Sequence, residues 1–526
     1  MATSREGESG RPGLCPALVL LLLLVLLSLL AVAQLVLRGR PRGGLRTPPG
    51  PFPWPLVGNL LQLGGAPHLA LGALAGRYGP VFSIRLGARP VVVLSGERAI
   101  RQALVRQGPA FASRPAFPSF GEVSGGRSMA FGPYSDIWRA RRRLAHGTVR
   151  AFSVRAWLEM PVLGEARELV RSLARGSVGG ASLDPAPPAG LAVANVMSAL
   201  CFGRRAGPDD TEFRQLLGCN EEFGRTVGAG GLVDALPWLR RFPNPARSAF
   251  QDFQRFNRRF YGFVLRQCQR RPAPPPGHPP RHMLDAFVHA ARGVRSPLPE
   301  NHVPATLTDI FGASQDTLST ALHWLLLLFV RFPEVQAKVQ EELDRVVGRE
   351  RLPCMADQPA LPYLMAFLYE AMRFSSFVPV TIPHATTSDT SILGYHIPKD
   401  TVVFINQWSV NHDPVKWPNP EEFRPARFLD EKGFVDKDLA SGVMIFSLGK
   451  RRCIGEELSK LQLFLFTAIL AHQCNFVADP DELANLKFSY GLTIKPKPFK
   501  INVTLRESME LLDKAVQRLQ EEEDSQ

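Results

Sequence analysis

Apolar positions along the chain fall mainly at helical spacing, with a few short runs of strand type between them. From Pro12 to Leu37 no residue is charged, and Leu18–Leu30 is almost entirely Leu and Val. About 20 apolar residues cross a bilayer, so the span predicts a transmembrane helix; a cleaved signal peptide, with its shorter apolar core, is the rival reading. Pro48-Pro49-Gly50-Pro51-Phe52-Pro53-Trp54-Pro55 then forbids a continuing helix and predicts a stiff elbow. Val81–Leu86 and Pro90–Leu94 read as a hairpin around Gly87-Ala88-Arg89. Helical patterning dominates from about Ser135 to Phe374, interrupted by the Pro- and Gly-rich loop Pro272–Pro280. Within it, Thr306–Val330 predicts one long apolar helix. A second runs from Glu456 to about Gln473, with Leu458, Leu461, Leu465 and Ile469 at helical spacing. Phe488–Leu505 reads as strand broken by Pro496 and Pro498. Glu507–Gln526 reads as an amphipathic helix ending in a solvated acidic run.

No internal repeat or long polar linker divides the 526 residues, although length alone would allow three domains. The seven cysteines (15, 201, 219, 268, 354, 453, 474) are scattered and form no C-x-x-C pair. That argues against a disulfide framework and a structural zinc site, and fits a reducing compartment. Charge sets the topology. Arg5, Glu6, Glu8 and Arg11 cancel before the apolar span, whereas Arg38, Arg40, Arg42 and Arg46 follow it without an acid. The N-terminus is therefore expected in the lumen and the rest in the cytoplasm, which leaves the sequon Asn502-Val503-Thr504 unused. The net charge of +14 raises nucleic acid as a partner, but no nucleic-acid-binding signature accompanies it. An enzyme anchored against anionic lipid accounts for the balance without nucleic acid.

Candidate chemistry concentrates in Phe446-Ser447-Leu448-Gly449-Lys450-Arg451-Arg452-Cys453-Ile454-Gly455. A cysteine at a helix N-terminus behind three cations is expected to ionise readily. Flanking glycines let backbone pass close to a large flat ligand, and the cations suit carboxylates on its rim. Haem with a cysteine axial ligand meets that description; a buried core cysteine is the plain alternative. In the long apolar helix, Asp316-Thr317 follows the small residues Gly312, Ala313 and Ser314. A buried acid is costly unless paired or functional, and Thr317 can back-bond to the Ala313 carbonyl and open the helix locally. The other reading is that Thr317 merely back-bonds and Asp316 pairs with a surface cation.

The cysteine stretch resembles the F-x-x-G-x-R-x-C-x-G signature of the cytochromes P-450, and the likeness extends from about Pro48 to the C-terminal region. It implies a mostly α fold with small β-sheets, a single large haem-binding domain behind an N-terminal transmembrane helix. The chain then divides into a lumenal N-terminus (1–13), an anchor (14–37), a basic and proline-rich hinge (38–55), a catalytic domain (56–505) and a tail (506–526). The implied cofactor is haem b, with Cys453 as ligand, Gly449 and Ala313 against it, and Trp138, Arg142, His384 and Arg451 at its propionates. Ala313, Asp316 and Thr317 match the family's A-G-x-D-T, with Ser314 where Gly is usual, and give Asp316 and Thr317 the catalytic role of proton delivery. Glu370-Ala371-Met372-Arg373 and Phe423–Phe428 resemble the E-x-x-R and P-x-R-F motifs, so Glu370, Arg373 and Arg427 form a structural ion network. Ala426 replaces the usual acid there, which puts one contact in doubt.

The likeness is greatest to family 1, subfamily B, of the microsomal members, carried by runs such as Asn220–Val227, Phe311–Asp316 and Arg373–Val380. By that likeness Phe120, Phe131, Phe223, Phe260, Ala313, Val378, Leu492 and Thr493 line a pocket for oestrogens, polycyclic aromatic hydrocarbons, retinoids and polyunsaturated fatty acids. The expected activity is a monooxygenase inserting one oxygen atom of O2, with a secondary hydroperoxide dehydratase activity. No nucleotide-binding glycine motif is evident, so electrons must come from a partner: NADPH-cytochrome P-450 reductase, with cytochrome b5 as an optional second donor. Arg139, Arg141 and Arg143 with Lys450 and Arg452 suggest a cationic docking face. Trp238–Phe242 resembles the family's membrane-dipping loop. The expected location is the cytoplasmic face of the endoplasmic reticulum membrane, with a mitochondrial fraction left open. Two rivals stand beside this reading: a haem-thiolate hydroperoxide isomerase that uses no O2, and a non-catalytic haem sensor or carrier.

Overall fold

The structure, a computed structural model, describes Val25 and residues 46–524, apart from 208–209, 219–222, 225, 228–230, 271–277, 294–297 and 481–484. The expected lumenal segment, the anchor apart from Val25, hinge residues 38–45, and residues 220–222 and 225 of the Asn220–Val227 run lie outside the described residues. Among those described, no single helix is long and apolar enough to cross a membrane.

Helices α1 (Asp136–Ala151), α2 (Arg155–Gly176), α3 (Ala186–Phe202), α4 (Pro245–Gln269) and α5 (Met283–Arg292) precede the longest one, α6 (Val303–Arg331). α7 (Pro333–Val346), α8 (Pro362–Ser375), α9 (Glu456–Gln473) and α10 (Glu510–Asp524) follow. α6 is the axis of the fold. Its C-terminal half, Ala321 to Val330, is buried on every side, as expected of a helix apolar all round. α3, α4, α8 and α9 all pack against it. Pro333 ends α6, since its ring clashes with continuing helix, and the chain turns by 104° into α7.

The Val81–Leu86 and Arg89–Ser95 runs form strands β1 and β2, paired through the predicted tight turn with Leu86 opposite Arg89. β2 continues into a sheet of order β1-β2-β6-β3, where β3 is His384–Ala385 and β6 is Val402–Asn406, parallel to β2. β6 is buried at every position, the pattern of a strand covered on both faces. Between them, β4 (Thr390–Ile392) and β5 (Tyr395–Ile397) make a small ribbon. The C-terminal strand region is split, as its prolines predict, into β8 (Phe488–Ser489), β9 (Lys495–Pro496) and β10 (Ile501–Leu505); β10 pairs with β7 (Cys474–Ala478). The small sheets frame the helical core, and α6, β3 and the loop before α9 converge on one interior cavity.

Candidate active site

Local sequence fixes each wall of that cavity. Ser135 caps α1, its hydroxyl accepting from the Trp138 N–H, an interaction of about 1 kcal/mol. The cap turns Trp138 and Arg142 to the same side. Gly449 has φ +70°, and a Cβ there would lie 1.8 Å from the Leu104 carbonyl oxygen. Gly449 is therefore required by the Leu104 backbone packed against it. The turn it permits brings Cys453 N–H to the Phe446 carbonyl at 2.8 Å, and α9 starts directly after Gly455.

The cavity, about 260 Å³, is bordered by Ala313, Ser314 and Thr317 of α6, by Cys453, and by Arg114, Arg142, His384 and Arg451. Four arginines, Arg452 among them, and His384 thus converge on a space bordered by one acid, Asp309. Burial and the neighbouring Arg114 and Arg142 charges push Arg451 down to about 7, and burial with Arg142 pushes Arg114 down to about 9. His384 is held far below the ordinary imidazole range by burial and by Arg114. Mutually repelling cations around a slot with a thiol on one wall fit a flat, iron-bearing ligand with carboxylates on its rim. Arg114 was not legible in the sequence. It donates to the carbonyls of Ala130, Ile382 and Pro383.

The cations are also braced by backbone. Arg451 donates to Ala112 O at 2.7 Å, Met129 O at 3.0 Å and Gly132 O at 2.7 Å. The Trp138 indole donates to Met129 O at 2.8 Å, and Arg142 donates to the Arg452 carbonyl. Trp138 thus stands under Arg451 with its N–H turned to a carbonyl, whereas the sequence had offered that N–H to a propionate. His384 Nδ1 lies 2.7 Å from Phe111 O. Burial pushes the Cys453 thiol up and outweighs the Gly455 N–H and the Arg142 and Arg452 charges, the opposite of the low-pKa thiolate expected from the helix terminus alone.

On α6, Thr317 donates to the Ala313 carbonyl at 2.8 Å and Ser314 to the Phe311 carbonyl at 2.8 Å. Asp316 turns away from the cavity, to Lys495 Nζ at 2.8 Å and the Thr493 hydroxyl at 3.1 Å. The plainer of the two readings of this pair describes the resting geometry: Thr317 back-bonds, and Asp316 is ion-paired. Asp309, seven residues earlier, accepts from the Ser124 and Ser128 hydroxyls and from the Met129 and Ala130 N–H groups. The signal that marked Asp316, an acid in an apolar helix, marks Asp309 equally.

Behind the cavity, Glu370 and Arg373 are fully buried and doubly bonded at 2.7 and 2.9 Å, and Arg427 reaches Glu370 at 3.0 Å. Arg427 also donates to the Pro418 and Glu422 carbonyls. The network closes without an acid at Ala426.

The residue strings and this geometry agree with known proteins. The family profile described as Cytochrome P450 matches residues 48–503. The chain belongs to the cytochrome P450 family. It is 64% identical over 524 residues to Cytochrome P450 1B1 of Homo sapiens, covering 96% of each chain, and 63% identical over 518 residues to Cytochrome P450 1B1 of Mus musculus, covering 96% of this chain and 95% of that one. It is 44% identical over 468 residues to Cytochrome P450 1A1 of Cavia porcellus, covering 86% of this chain and 90% of that one. This cytochrome P450 is accordingly a haem-thiolate monooxygenase of family 1, subfamily B, with small lipophilic substrates and a reductase as electron donor. Its family places it with the enzymes associated with the endoplasmic reticulum membrane.

Of the expected pocket residues in this cytochrome P450, Ala313 and Val378 border the cavity. Phe120, Phe131 and Phe223 form a row, with centroids 4.9 and 6.2 Å apart. The row continues through Phe256 to Phe260, which stacks on Phe311 at 5.7 Å. Leu492 N–H bonds to Gly224 O at 2.8 Å, which sets it beside Phe223. Thr493 is occupied by Asp316.

On the outer side of the cysteine loop, Arg139, Arg142, Arg143, His146, Arg150, Lys450, Arg452 and Lys460 border a second, open cavity of about 690 Å³, together with Cys453 and the acids Glu456 and Glu457. Arg141 is not among them. It is buried, donating to Arg127 O and the Thr306 hydroxyl.

Proposed function

We propose that this monooxygenase acts on flat, lipophilic substrates with fused rings or several double bonds: oestrogens and other steroids, polycyclic aromatic hydrocarbons, retinoids and arachidonate-like fatty acids. The observation that carries the reading is the unbroken aromatic row from Phe120 through Phe131 and Phe223 to Phe260. Phenylalanine faces bind fused rings by offset stacking and exclude water. Haem, when bound, supplies the activation of O2.

The protein's share follows from its own groups. Cys453 would hold the haem iron through its sulfur. Arg114, Arg142, His384 and Arg451 hold the carboxylates on the rim, and Ala313 leaves room for a flat group against α6. Thr317, back-bonded to Ala313, presents its hydroxyl at the cavity and holds a proton there. Asp316 carries protons to it from solvent. Glu370, Arg373 and Arg427 keep the cysteine loop in register.

Electrons arrive at the cationic face around Lys450 from the acidic flavin domain of NADPH-cytochrome P-450 reductase, with cytochrome b5 as an alternative donor. Exposed Trp238 and Phe242 beside Arg240 and Arg241 rest at the lipid surface, with the catalytic domain on the cytoplasmic side. The test is a spin-state titration with a planar steroid and with a bulky branched hydrocarbon of similar mass, followed by NADPH-dependent turnover with added reductase. Tight binding and oxygenation of the planar compound support the reading. Equal binding of both compounds, or oxidation without NADPH and reductase, contradicts it.

A further inference from the structure

Although α6 is apolar on most sides, it carries a buried polar stripe of Asp316, Thr320 and His323. Spacings of four and three residues stack them on one face of the helix. The C-terminal strand region covers this stripe. Thr493 donates to Asp316 Oδ2 at 3.1 Å and lies 3.5 Å from the Thr320 hydroxyl, and Lys495 Nζ lies 2.8 Å from Asp316 Oδ1. His323 stacks on Phe499 with centroids 4.8 Å apart, and burial together with the Lys495 charge keeps its imidazole down to about 4. At neutral pH Lys495 is therefore the cation that faces Asp316 from this strand.

The pair is asymmetric. The Lys495 side chain keeps 28% of its surface exposed and that of Asp316 only 5%, so one end of the contact is wet and the other is sealed in the core. A sealed ion pair of this kind roughly breaks even in stability against apolar residues. Its position is more telling. Asp316 is flanked by residues that border the cavity, Ala313, Ser314 and Thr317, but does not border it itself.

We propose that Lys495 is a positioning residue for the proton supply: it holds the Asp316 carboxylate on the outer side of α6, at the sealed end of a contact whose Lys495 end meets water, while Thr493 sets the rotamer from which the carboxyl turns toward Thr317. A proton taken up from water at the Lys495 end neutralises Asp316 and loosens its hold on the ammonium. Handing that proton toward Thr317 regenerates the carboxylate and the ion pair, so the cycle closes. This rests on the reading of Asp316 as the proton carrier.

The experiment compares Lys495→Met, Lys495→Arg, Asp316→Asn and the double variant Lys495→Met/Asp316→Asn as holoenzymes with reductase and NADPH. Two quantities are read: the share of NADPH electrons lost as hydrogen peroxide, with its solvent isotope effect, and the thermal unfolding midpoint. Lys495→Met should raise the peroxide share several-fold and enlarge the isotope effect, with Lys495→Arg restoring both. In unfolding, the loss caused by Lys495→Met should be largely absent in the Asp316→Asn background, because the stranded carboxylate is gone. Should Lys495→Met not retain haem, Lys495→Gln takes its place. An unchanged peroxide share in Lys495→Met, beside a raised one in Asp316→Asn, overturns the inference alone. An unchanged share in Asp316→Asn overturns the role of Asp316 and the inference with it.

Discussion

The guanidinium of Arg451 lies 3.9 Å from the centre of the Trp138 indole ring. This contact joins the cysteine loop to α1, and both residues also bond the same Met129 carbonyl. Cation–π contacts desolvated in this way reach about 2 kcal/mol. Arg451→Met should lower haem retention by more than about tenfold, since it removes a rim cation as well as the brace. Haem per protein after gel filtration reads it. Full haem occupancy in Arg451→Met would refute the assignment of Arg451 to the rim.

Glu370 is the buried carboxylate partner of both Arg373 and Arg427. Glu370→Ala should cost ~3–5 kcal/mol, the usual penalty for breaking one partner of a buried pair, and most molecules should fail to keep haem. Ala426→Asp should change stability by under ~0.5 kcal/mol, because position 426 is exposed and Arg427 is already satisfied by carbonyls. Thermal unfolding of the two variants checks both halves.

Burial pushes the Asp309 carboxyl up despite its bonds from Ser124, Ser128, Met129 and Ala130. Its folded pKa therefore lies above the unfolded one, and between the two the native state binds more protons. The stability this group contributes is present below the ordinary carboxylate pKa and is lost as pH rises through the raised value. The stability difference between wild type and Asp309→Asn should accordingly fall as pH rises across that window. Urea melts at stepped pH measure it; a difference that rises with pH would contradict the sign.

Much of this was legible before the structure. Hairpin β1–β2, α6 and α9 were readable because their apolar spacing is unbroken and their ends are marked by turn residues or proline. The cysteine loop was readable because chemistry confines Cys453 and Arg451 to fixed spacing. Arg114 and Lys495 escaped, since each meets its partners across long sequence separations: Arg114 to Pro383 and Lys495 to Asp316. No local pattern encodes those meetings. Arg141 was misplaced for the same reason, because its burial depends on Thr306 rather than on its basic neighbours.

If the aromatic row receives planar substrates, Phe131→Ala and Phe223→Ala should each weaken a fused-ring ligand by about 1.5–3 kcal/mol, or roughly 10–100-fold. A small flexible ligand should lose far less. Spectral titrations compare them, and equal losses for both ligands would argue against a stacking slot.

Lys450→Glu and Arg143→Glu, on the cationic face, should raise the reductase concentration needed for half-maximal reduction, most strongly at low salt. Stopped-flow reduction rates indifferent to charge and salt would place the docking surface elsewhere.

The most direct test of the whole account is the difference spectrum of the dithionite-reduced protein with and without carbon monoxide. The account predicts a strongly red-shifted Soret band that disappears in Cys453→Ala. A band at the position of histidine-ligated haem, or one that persists without Cys453, would contradict it.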